Sequence, residues 1–239
     1  MLYRMLLFII AAIISASFTG CDGSGERIRQ RFTELSIKED LTIVVIGDSI
    51  SGGRQYSITG TSYSSFLKPK LQDLVDKKIS MINASEEDET FSRSLRRIQE
   101  DVLSYRPDVV VVMLGLVDAT NPQKLEYVFK RQVDQFMEAM VSRNLFVVVL
   151  TTTTYRDITD GNDPLYKRFV AFNDVISYSA RLHSFPVIDI FKYMDEERKK
   201  NHNAYRDMFS DPVHLSEKGQ QFVADCIYRE IADALDKLE

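Results

Sequence analysis

The stretch LTIVVIGDSISGG, residues 41–53, joins an apolar run rich in Val and Ile to a turn made of Gly47, Asp48 and Ser49. An apolar run without polar alternation is typical of a strand that is buried on both faces of a parallel sheet. Gly, Asp and Ser favour turns, so the run predicts a strand that ends at Gly47. Two interpretations of Ser49 remain open here. It is either an ordinary turn residue or a nucleophile presented at the carboxyl edge of the sheet.

Further apolar runs of this kind alternate with helical patterns along the chain. Buried strands are predicted at residues 41–46, 79–82, 109–114 and 146–150, with a shorter fifth at 186–190. Apolar residues recur at helical spacing over residues 64–77, 92–105, 122–142, 165–182 and 216–238, with Pro122 at a plausible first helical position. This alternation predicts one α/β domain, a three-layer α/β/α sandwich around a five-stranded, parallel, flavodoxin-like sheet.

The bulk composition excludes several classes of protein. A chain of 239 residues with 44% hydrophobic and 27% charged residues suits one globular domain and does not suit a disordered one. The formal net charge of −5, without a basic run interleaved with aromatic residues, argues against a nucleic-acid partner. Sequence patterns for metal ions and nucleotides are not found, so neither a metal nor a cofactor is expected.

The first residues of the chain predict export. Arg4 precedes an apolar run over residues 5–18, which is too short and too poorly flanked for a membrane span. The segment FTGC, ending at Cys21, resembles a bacterial lipobox, although Phe18 stands where leucine is usual. The resemblance implies a lipoprotein signal peptide over residues 1–20 and a lipid on Cys21. A plain secretory signal and an uncleaved anchor are the alternatives.

The expected lipid anchor defines a membrane partner and a location. Residues 21–38 are polar, and we expect a tether there with one helical turn near residues 27–35, ahead of a domain at 39–239. A lipid on Cys21 places the protein in the bacterial cell envelope, with the domain outside the cytoplasm. By the sorting rule known for some enteric bacteria, Asp22 would keep it on the periplasmic face of the inner membrane. Cys226 is then expected as a packed thiol.

One histidine has a context that suggests chemistry. His214 lies in SDPVHLSEKG, three residues after Asp211, whereas His202 lies in a charged stretch and His183 ends a predicted helix. The short spacing lets the Asp211 carboxylate accept a hydrogen bond from one ring nitrogen of His214, while the other nitrogen takes a proton from Ser49. The alternative is a turn that Asp211 starts, with His214 as a loop residue near a helix cap. The spacing alone does not decide between them.

The two motifs together resemble the SGNH (GDSL) hydrolase family. Gly47-Asp48-Ser49 follows the first strand, the segment DPVH at residues 211–214 precedes the last helix, and Gly219 matches a glycine that commonly follows it. The resemblance covers residues 41–239 in strand order and motif placement. It implies an esterase, lipase-like or carbohydrate deacetylase activity without a metal. On this basis Ser49 is the nucleophile, His214 the base and Asp211 the group that orients it.

The sequence departs from the family where the oxyanion is held. The family uses three donors: the N–H of the nucleophile, a glycine N–H after the second strand and an Asn side chain after the third. Here Asp88 occupies the approximate glycine position and Val117 the Asn position, so the backbone N–H groups of Ser49 and Asp88 are the expected donors. Losing one donor costs about 2.7–4 kcal/mol. The candidates for a replacement donor are Asn83, Ser85, Thr90, Thr120 and Asn121.

Two functions follow from this pattern. The first is a serine esterase that acts on O-acyl groups, such as acetyl, of a small molecule or an envelope carbohydrate. The second is a catalytically weakened module that binds a glycan or an envelope partner. The acidic run at residues 86–89 is expected as a solvated loop, and TTTTYRD at 151–157 is expected at the rim of the same site. The sequence carries no signal for an oligomeric state.

Overall fold

One parallel sheet of five strands organises the protein, in the order β2-β1-β3-β4-β5. The computed structural model describes residues 23–53, 61–158 and 161–236. The predicted signal peptide and Cys21 lie outside these residues. The strands are β1 Asp40–Gly47, β2 Lys78–Asn83, β3 Val109–Met113, β4 Val147–Leu150 and β5 Val187–Ile188. Every residue of β3 and β4 is buried, as expected for strands covered on both faces.

Helices cover both faces of the sheet and complete the predicted α/β/α sandwich. They are α1 Ser24–Leu35, α2 Ser49–Gly52, α3 Tyr63–Val75, α4 Phe91–Asp101, α5 Leu116–Thr120, α6 Glu126–Val141, α7 Pro164–Leu182, α8 Ile190–Lys200, α9 His202–Asp207 and α10 Glu217–Asp236. Helices α1 and α3 pack against α10, whereas α6 packs against α4 and α7. Right-handed crossovers place these two groups on opposite faces. The expected fold class is confirmed.

Some element boundaries differ from the prediction for local reasons. The helix predicted to start at Pro122 begins at Glu126, because the Asn121 side chain accepts a hydrogen bond from the Gln123 N–H and closes a turn there. Helix α8 was not predicted, since its charged sequence buries only a short apolar set that begins at Ile190 and Phe191. Cys226 is buried in α10, in agreement with the expected packed thiol.

The N-terminal helix α1 takes the place of most of the expected tether. Where we predicted one helical turn, the structure has twelve helical residues, and Ile28, Phe32 and Leu35 are buried in the core. Their spacing of four and three residues puts them on one face of the helix. The segment therefore belongs to the packed domain. None of the helices formed by the described residues has the length and apolar character of a segment that spans a bilayer.

Candidate active site

Ser49 is the first residue of α2, immediately beyond β1 at the carboxyl edge of the sheet. A side chain at Gly47 would lie 2.2 Å from Ser51 Oγ and 2.7 Å from the Met113 carbonyl oxygen, so only glycine fits beneath this turn. Asp48 closes the turn, since its Oδ1 accepts a hydrogen bond of 3.0 Å from the Ile50 N–H. The strand thus ends in a tight, capped turn that presents a half-buried Ser49.

The carboxyl group of Asp48 has an unusual electrostatic environment. It is fully buried, and this burial raises its pKa to about 7, although the hydrogen bond from Ile50 opposes the shift. The negative charges of Asp118 and Glu89 raise the pKa further. Among the described residues, Asp48 Oδ2 has no hydrogen-bond partner. Near neutral pH, the Asp48 carboxyl group is therefore partly protonated and partly ionised.

Asp211 and His214 form the hydrogen-bonded pair that their spacing predicts. His214 Nδ1 lies 2.7 Å from Asp211 Oδ2, and Asp211 Oδ1 accepts the N–H groups of Val213 and His214 at 2.8 and 2.7 Å. Partial burial opposes ionisation of Asp211, but these N–H groups and the His214 ring together lower its pKa. Asp211 therefore stays ionised and fixes the orientation of the imidazole. The other ring nitrogen of His214 is the one suited to proton transfer.

The loop that carries His214 is closed tightly on itself. The Ser210 N–H donates a hydrogen bond of 2.9 Å to the His214 carbonyl oxygen, and Phe209 and Leu215 form an isolated antiparallel bridge across the loop. A side chain at Gly219 would lie 2.1 Å from the Met208 carbonyl oxygen, so glycine lets α10 start against the base of the loop. This close approach is the physical reason for the glycine that follows the predicted motif.

Gln220 connects this loop to the segment that follows Ser49. Its Nε2 donates a hydrogen bond of 2.9 Å to the Ile50 carbonyl oxygen, and its Oε1 accepts one of 2.8 Å from the Tyr63 N–H. Gln220 is 1% exposed and belongs to the first turn of α10. It thus ties the start of α10 to the segment that follows Ser49. The sequence analysis did not identify Gln220, although a polar residue on the same helical face as the apolar Val223 and Ala224 was a usable signal.

A second set of hydrogen bonds supports the turn from the side of β2. Asn83 Nδ2 donates to the Ser51 carbonyl oxygen at 2.7 Å and to Ser62 Oγ at 3.2 Å. Ser51 Oγ lies 3.1 Å from the Tyr63 hydroxyl, whose pKa burial raises. The Asn83 amide is therefore engaged in holding the segment that follows Ser49.

The two positions that depart from the family pattern lie in the segments that follow β2 and β3. Val117 is partly buried in α5, where the neighbouring Asp118 is buried and pairs with Lys124 at 2.9 Å. Asp88 is exposed and has φ = 52°, in the left-handed region that glycine adopts without strain. This conformation explains why a glycine suits the position. The backbone N–H of Asp88 and that of Ser49 remain the expected oxyanion donors.

Of the remaining candidates for a replacement donor, Thr90, Thr120 and Asn121 each make a local hydrogen bond. Thr90 Oγ1 accepts a hydrogen bond from the Arg93 N–H at the start of α4, and Thr120 Oγ1 donates a hydrogen bond of 3.0 Å to the Leu116 carbonyl oxygen. Asn121 Oδ1 closes the turn before α6. Ser85 Oγ is buried and has no hydrogen-bond partner among the described residues. None of the contacts that Thr90, Thr120 and Asn121 make directs a donor toward Ser49.

The rim of the site differs from the expectation in two places. Within the acidic run, Glu86, Glu87 and Asp88 are exposed as predicted, but Glu89 is buried and pairs with Arg97. The threonines at residues 151–154 are also buried, so their hydroxyl groups do not line a binding surface. The loop that follows these threonines does reach the site, because the Arg156 N–H donates a hydrogen bond of 2.9 Å to the carbonyl oxygen of Pro212.

The other two histidines lie apart from these groups. His183 follows α7 at the opposite edge of the sheet, with Nδ1 2.8 Å from the Ser179 carbonyl oxygen, and His202 is exposed at the start of α9. Within the part of the chain that the structure describes, His, Cys, Asp and Glu side chains form no group of three or more that could hold a metal ion.

Comparison with known proteins gives consistent matches over most of the chain. The model of the GDSL-like lipase/acylhydrolase family matches residues 45–222, which include both motifs. Thioesterase 1/protease 1/lysophospholipase L1 of Escherichia coli K12 is 25% identical over 194 residues, covering 80% of this chain and 83% of that protein.

Two solved structures share the fold. A lipase/acylhydrolase from Enterococcus faecalis is 24% identical with a TM-score of 0.64, and the match covers 81% of this chain and 96% of that one. An acetyl xylan esterase from Geobacillus stearothermophilus is 23% identical with a TM-score of 0.66, and the match covers 80% and 94% of the two chains.

Proposed function

Because this chain belongs to the GDSL-like lipase/acylhydrolase family, we propose that it is a serine hydrolase that cleaves O-acyl esters with Ser49, His214 and Asp211. The observation that carries the proposal is the Asp211–His214 pair, together with the link that Gln220 makes from the same region to the Ser49 segment. Family membership supports ester hydrolysis in general. The residue roles and the substrate are the proposed part.

The proposed reaction proceeds in two balanced steps. His214 takes the proton from Ser49 Oγ as the oxygen attacks the acyl carbon, and then gives that proton to the departing alcohol. Water, deprotonated by His214, attacks the acyl-enzyme and releases the carboxylic acid, and the proton returns to Ser49. Asp211 stabilises the imidazolium that forms in each step, and its lowered pKa keeps it ionised.

The oxyanion in this reaction is held by fewer donors than the family pattern provides. The backbone N–H groups of Ser49 and Asp88 would hold it, and Val117 supplies no side-chain donor. Losing one donor lowers kcat by about 10²–10³. We therefore expect a slow esterase. The same observation favours a second candidate function, a weakened module that binds a glycan or an envelope partner through the same cleft.

The proposed substrate is an acyl ester, such as an acetyl group, on an envelope carbohydrate. The exposed carboxylates of Glu86, Glu87 and Asp88 next to the site disfavour anionic substrates and suit a neutral sugar. One of the similar structures is an acetyl xylan esterase. The FTGC segment supports acylation of Cys21, which would hold the domain on the outer face of a bacterial inner membrane.

Hydrolysis of p-nitrophenyl acetate by the purified full chain tests the proposal. We expect a measurable rate that Ser49→Ala abolishes and His214→Gln strongly reduces. Ser65→Ala, which removes an exposed serine hydroxyl, serves as the matched control and should leave the rate unchanged. Equal rates for the wild type and Ser49→Ala would refute the hydrolase and leave the binding module.

A further inference from the structure

The loops that precede the strands form a surface of their own, called here the amino edge. Because all five strands are parallel, these loops gather at the edge of the sheet opposite Ser49. Helix α1 extends along this edge. Ser24 Oγ accepts a hydrogen bond of 2.9 Å from the N–H of Val187 in β5. Arg31 Nη2 donates a hydrogen bond of 3.0 Å to the carbonyl oxygen of Asp108, just before β3. Lys77, just before β2, donates to the carbonyl oxygen of Lys38 at 2.6 Å.

The amino edge exposes apolar side chains. Ile37 is 89% exposed in the loop between α1 and β1, and Tyr105, Val141 and Leu182 are exposed in the segments that lead into β3, β4 and β5. Beside Ile37, an open groove of about 350 Å³ is lined by Phe32, Leu35, Leu41, Leu74, Val75 and Leu235, among others. Isolated exposed apolar residues need no explanation, but Ile37 next to an apolar groove, on an edge that exposes further apolar side chains, indicates an interaction surface.

The loops of the amino edge carry more basic than acidic residues. The loops of the amino edge carry the basic residues Lys38, Lys77, Lys78, Arg106, Arg143 and Arg181, against the acidic residues Glu39, Asp40, Asp76 and Asp108. Around the candidate active site several acidic residues are paired with basic ones, Glu86 with Arg97 and Asp157 with Arg156 and Arg206. An anionic surface would therefore attract the amino edge more strongly than the edge that carries Ser49.

The chain enters the described structure at the amino edge. Gly23 directly precedes α1, and the neighbouring Ser24 is bonded to Val187 at the start of β5. Cys21 lies only two residues before Gly23, so acyl chains on Cys21 would enter a bilayer next to this edge. The exposed apolar groups, the basic charge and the attachment point therefore coincide on one side of the domain.

We propose that the amino edge docks on an anionic phospholipid bilayer, with Ile37 and the adjacent groove in the interface. The edge of the sheet that carries Ser49, called here the catalytic edge, then faces away from that bilayer. The proposal rests on the anchoring at Cys21 given above. It narrows the substrate class of the proposed hydrolase to esters on soluble molecules or on polymers of the surrounding envelope. Lipids of the bilayer that holds the protein are excluded, because their acyl esters lie on the wrong side of the domain.

Fluorescence quenching of the full-length lipoprotein tests this orientation. The protein is purified from bacterial membranes in a Cys226→Ala background and reconstituted in vesicles of phosphatidylcholine and phosphatidylglycerol that contain a headgroup-nitroxide lipid. A bimane reporter is attached through Ser104→Cys at the amino edge or through Glu87→Cys at the catalytic edge. We expect quenching several-fold stronger at position 104, and weaker quenching there when phosphatidylglycerol is omitted.

A matched pair of variants tests the contact itself. With the reporter at position 104, Ile37→Glu should reduce the quenching, whereas Leu125→Glu, an equally drastic change at an exposed leucine on the catalytic side, should not. Equal quenching at positions 104 and 87, or stronger quenching at 87, would overturn the proposal. The reporter at position 104 could also become shielded in detergent as the protein concentration rises. This result would assign the amino edge to a contact with a second copy of the chain and would overturn the docking proposal as well.

Mass spectrometry of the same samples separates the two proposals. Acylated Cys21 with equal quenching at both positions would refute the docking and leave the anchoring intact. A protein without acylation at Cys21 would refute both. Neither result bears on p-nitrophenyl acetate hydrolysis, so the hydrolase is tested independently.

Discussion

Val117 is the residue that most limits the proposed chemistry, since it stands where the family places an Asn donor. We expect Val117→Asn to increase kcat for p-nitrophenyl acetate by up to about 10²–10³, because the amide would stabilise the oxyanion. Val117→Leu matches the shape of Asn without a donor and should not increase kcat. The two rates are compared by steady-state kinetics. An unchanged or slower rate for Val117→Asn would mean that another group already serves the oxyanion.

The raised pKa of Asp48 predicts that the free energy of unfolding depends on pH. Burial raises its pKa to about 7 in the folded protein, so between about pH 4 and pH 7 the folded state binds more protons than the unfolded state and stability falls as pH rises. In Asp48→Asn the amide oxygen can still accept from Ile50 but does not ionise. Its gain in unfolding free energy over the wild type should therefore grow with pH, to at most about 4 kcal/mol above pH 7.

Denaturant unfolding at several pH values measures this difference directly. A difference between Asp48→Asn and the wild type that stays constant from about pH 4 to pH 8 would contradict the raised pKa.

At the scale of elements, the proposed mechanism requires the start of α10 to hold the His214 loop against the Ser49 segment. Gln220→Leu would leave the Ile50 carbonyl oxygen and the Tyr63 N–H without their partner, and each unsatisfied buried group costs about 1–3 kcal/mol. We also expect kcat to fall with little change in KM, because the base and the nucleophile lose their alignment. Gln221→Leu changes the exposed neighbour and is the control.

Gln220→Glu makes this a test of positioning. The carboxylate can accept from the Tyr63 N–H but cannot donate to the Ile50 carbonyl oxygen, so its kcat should lie between those of the wild type and Gln220→Leu. If Gln220→Leu lost stability but kept the wild-type kcat, α10 would only support the fold.

The strands and helices also show which parts of the fold local sequence predicts. Strands such as β3 and β4 were predicted because an unbroken run of buried Val residues has few alternatives. The start of α6 was missed because the Asn121 side chain closes a turn that helical periodicity does not report. Helix α8 was missed because its only buried apolar residues are Ile190, Phe191 and Met194, and its charged remainder resembles a loop.

At the scale of the whole molecule, the site was only partly predictable. The Asp211–His214 pair spans three residues, so local geometry suffices to expect it. The contact of Gln220 with Ile50 spans 170 residues and depends on how α10 packs across the domain. The same limitation applies to α1, which looked like a tether because its buried face meets partners that are distant in sequence.

The integration of α1 into the domain is testable. Phe32 is 6% exposed, and Phe32→Ala should lower the unfolding free energy by about 3 kcal/mol or more. Thr33→Ala, at the exposed neighbouring position, should change it by no more than about 0.5 kcal/mol. Denaturant unfolding distinguishes the two. Equally small effects would mean that α1 adds little to the fold, and the amino edge would then lose its rigid link to Cys21.

Covalent labelling by a fluorophosphonate tests the central claim most directly, because it depends on an activated serine and on no particular substrate. Peptide mapping of the labelled full chain should place the adduct on Ser49. Ser49→Ala should abolish labelling, and His214→Gln should slow it strongly. An unlabelled Ser49, or a labelling rate that does not depend on His214, would contradict the account.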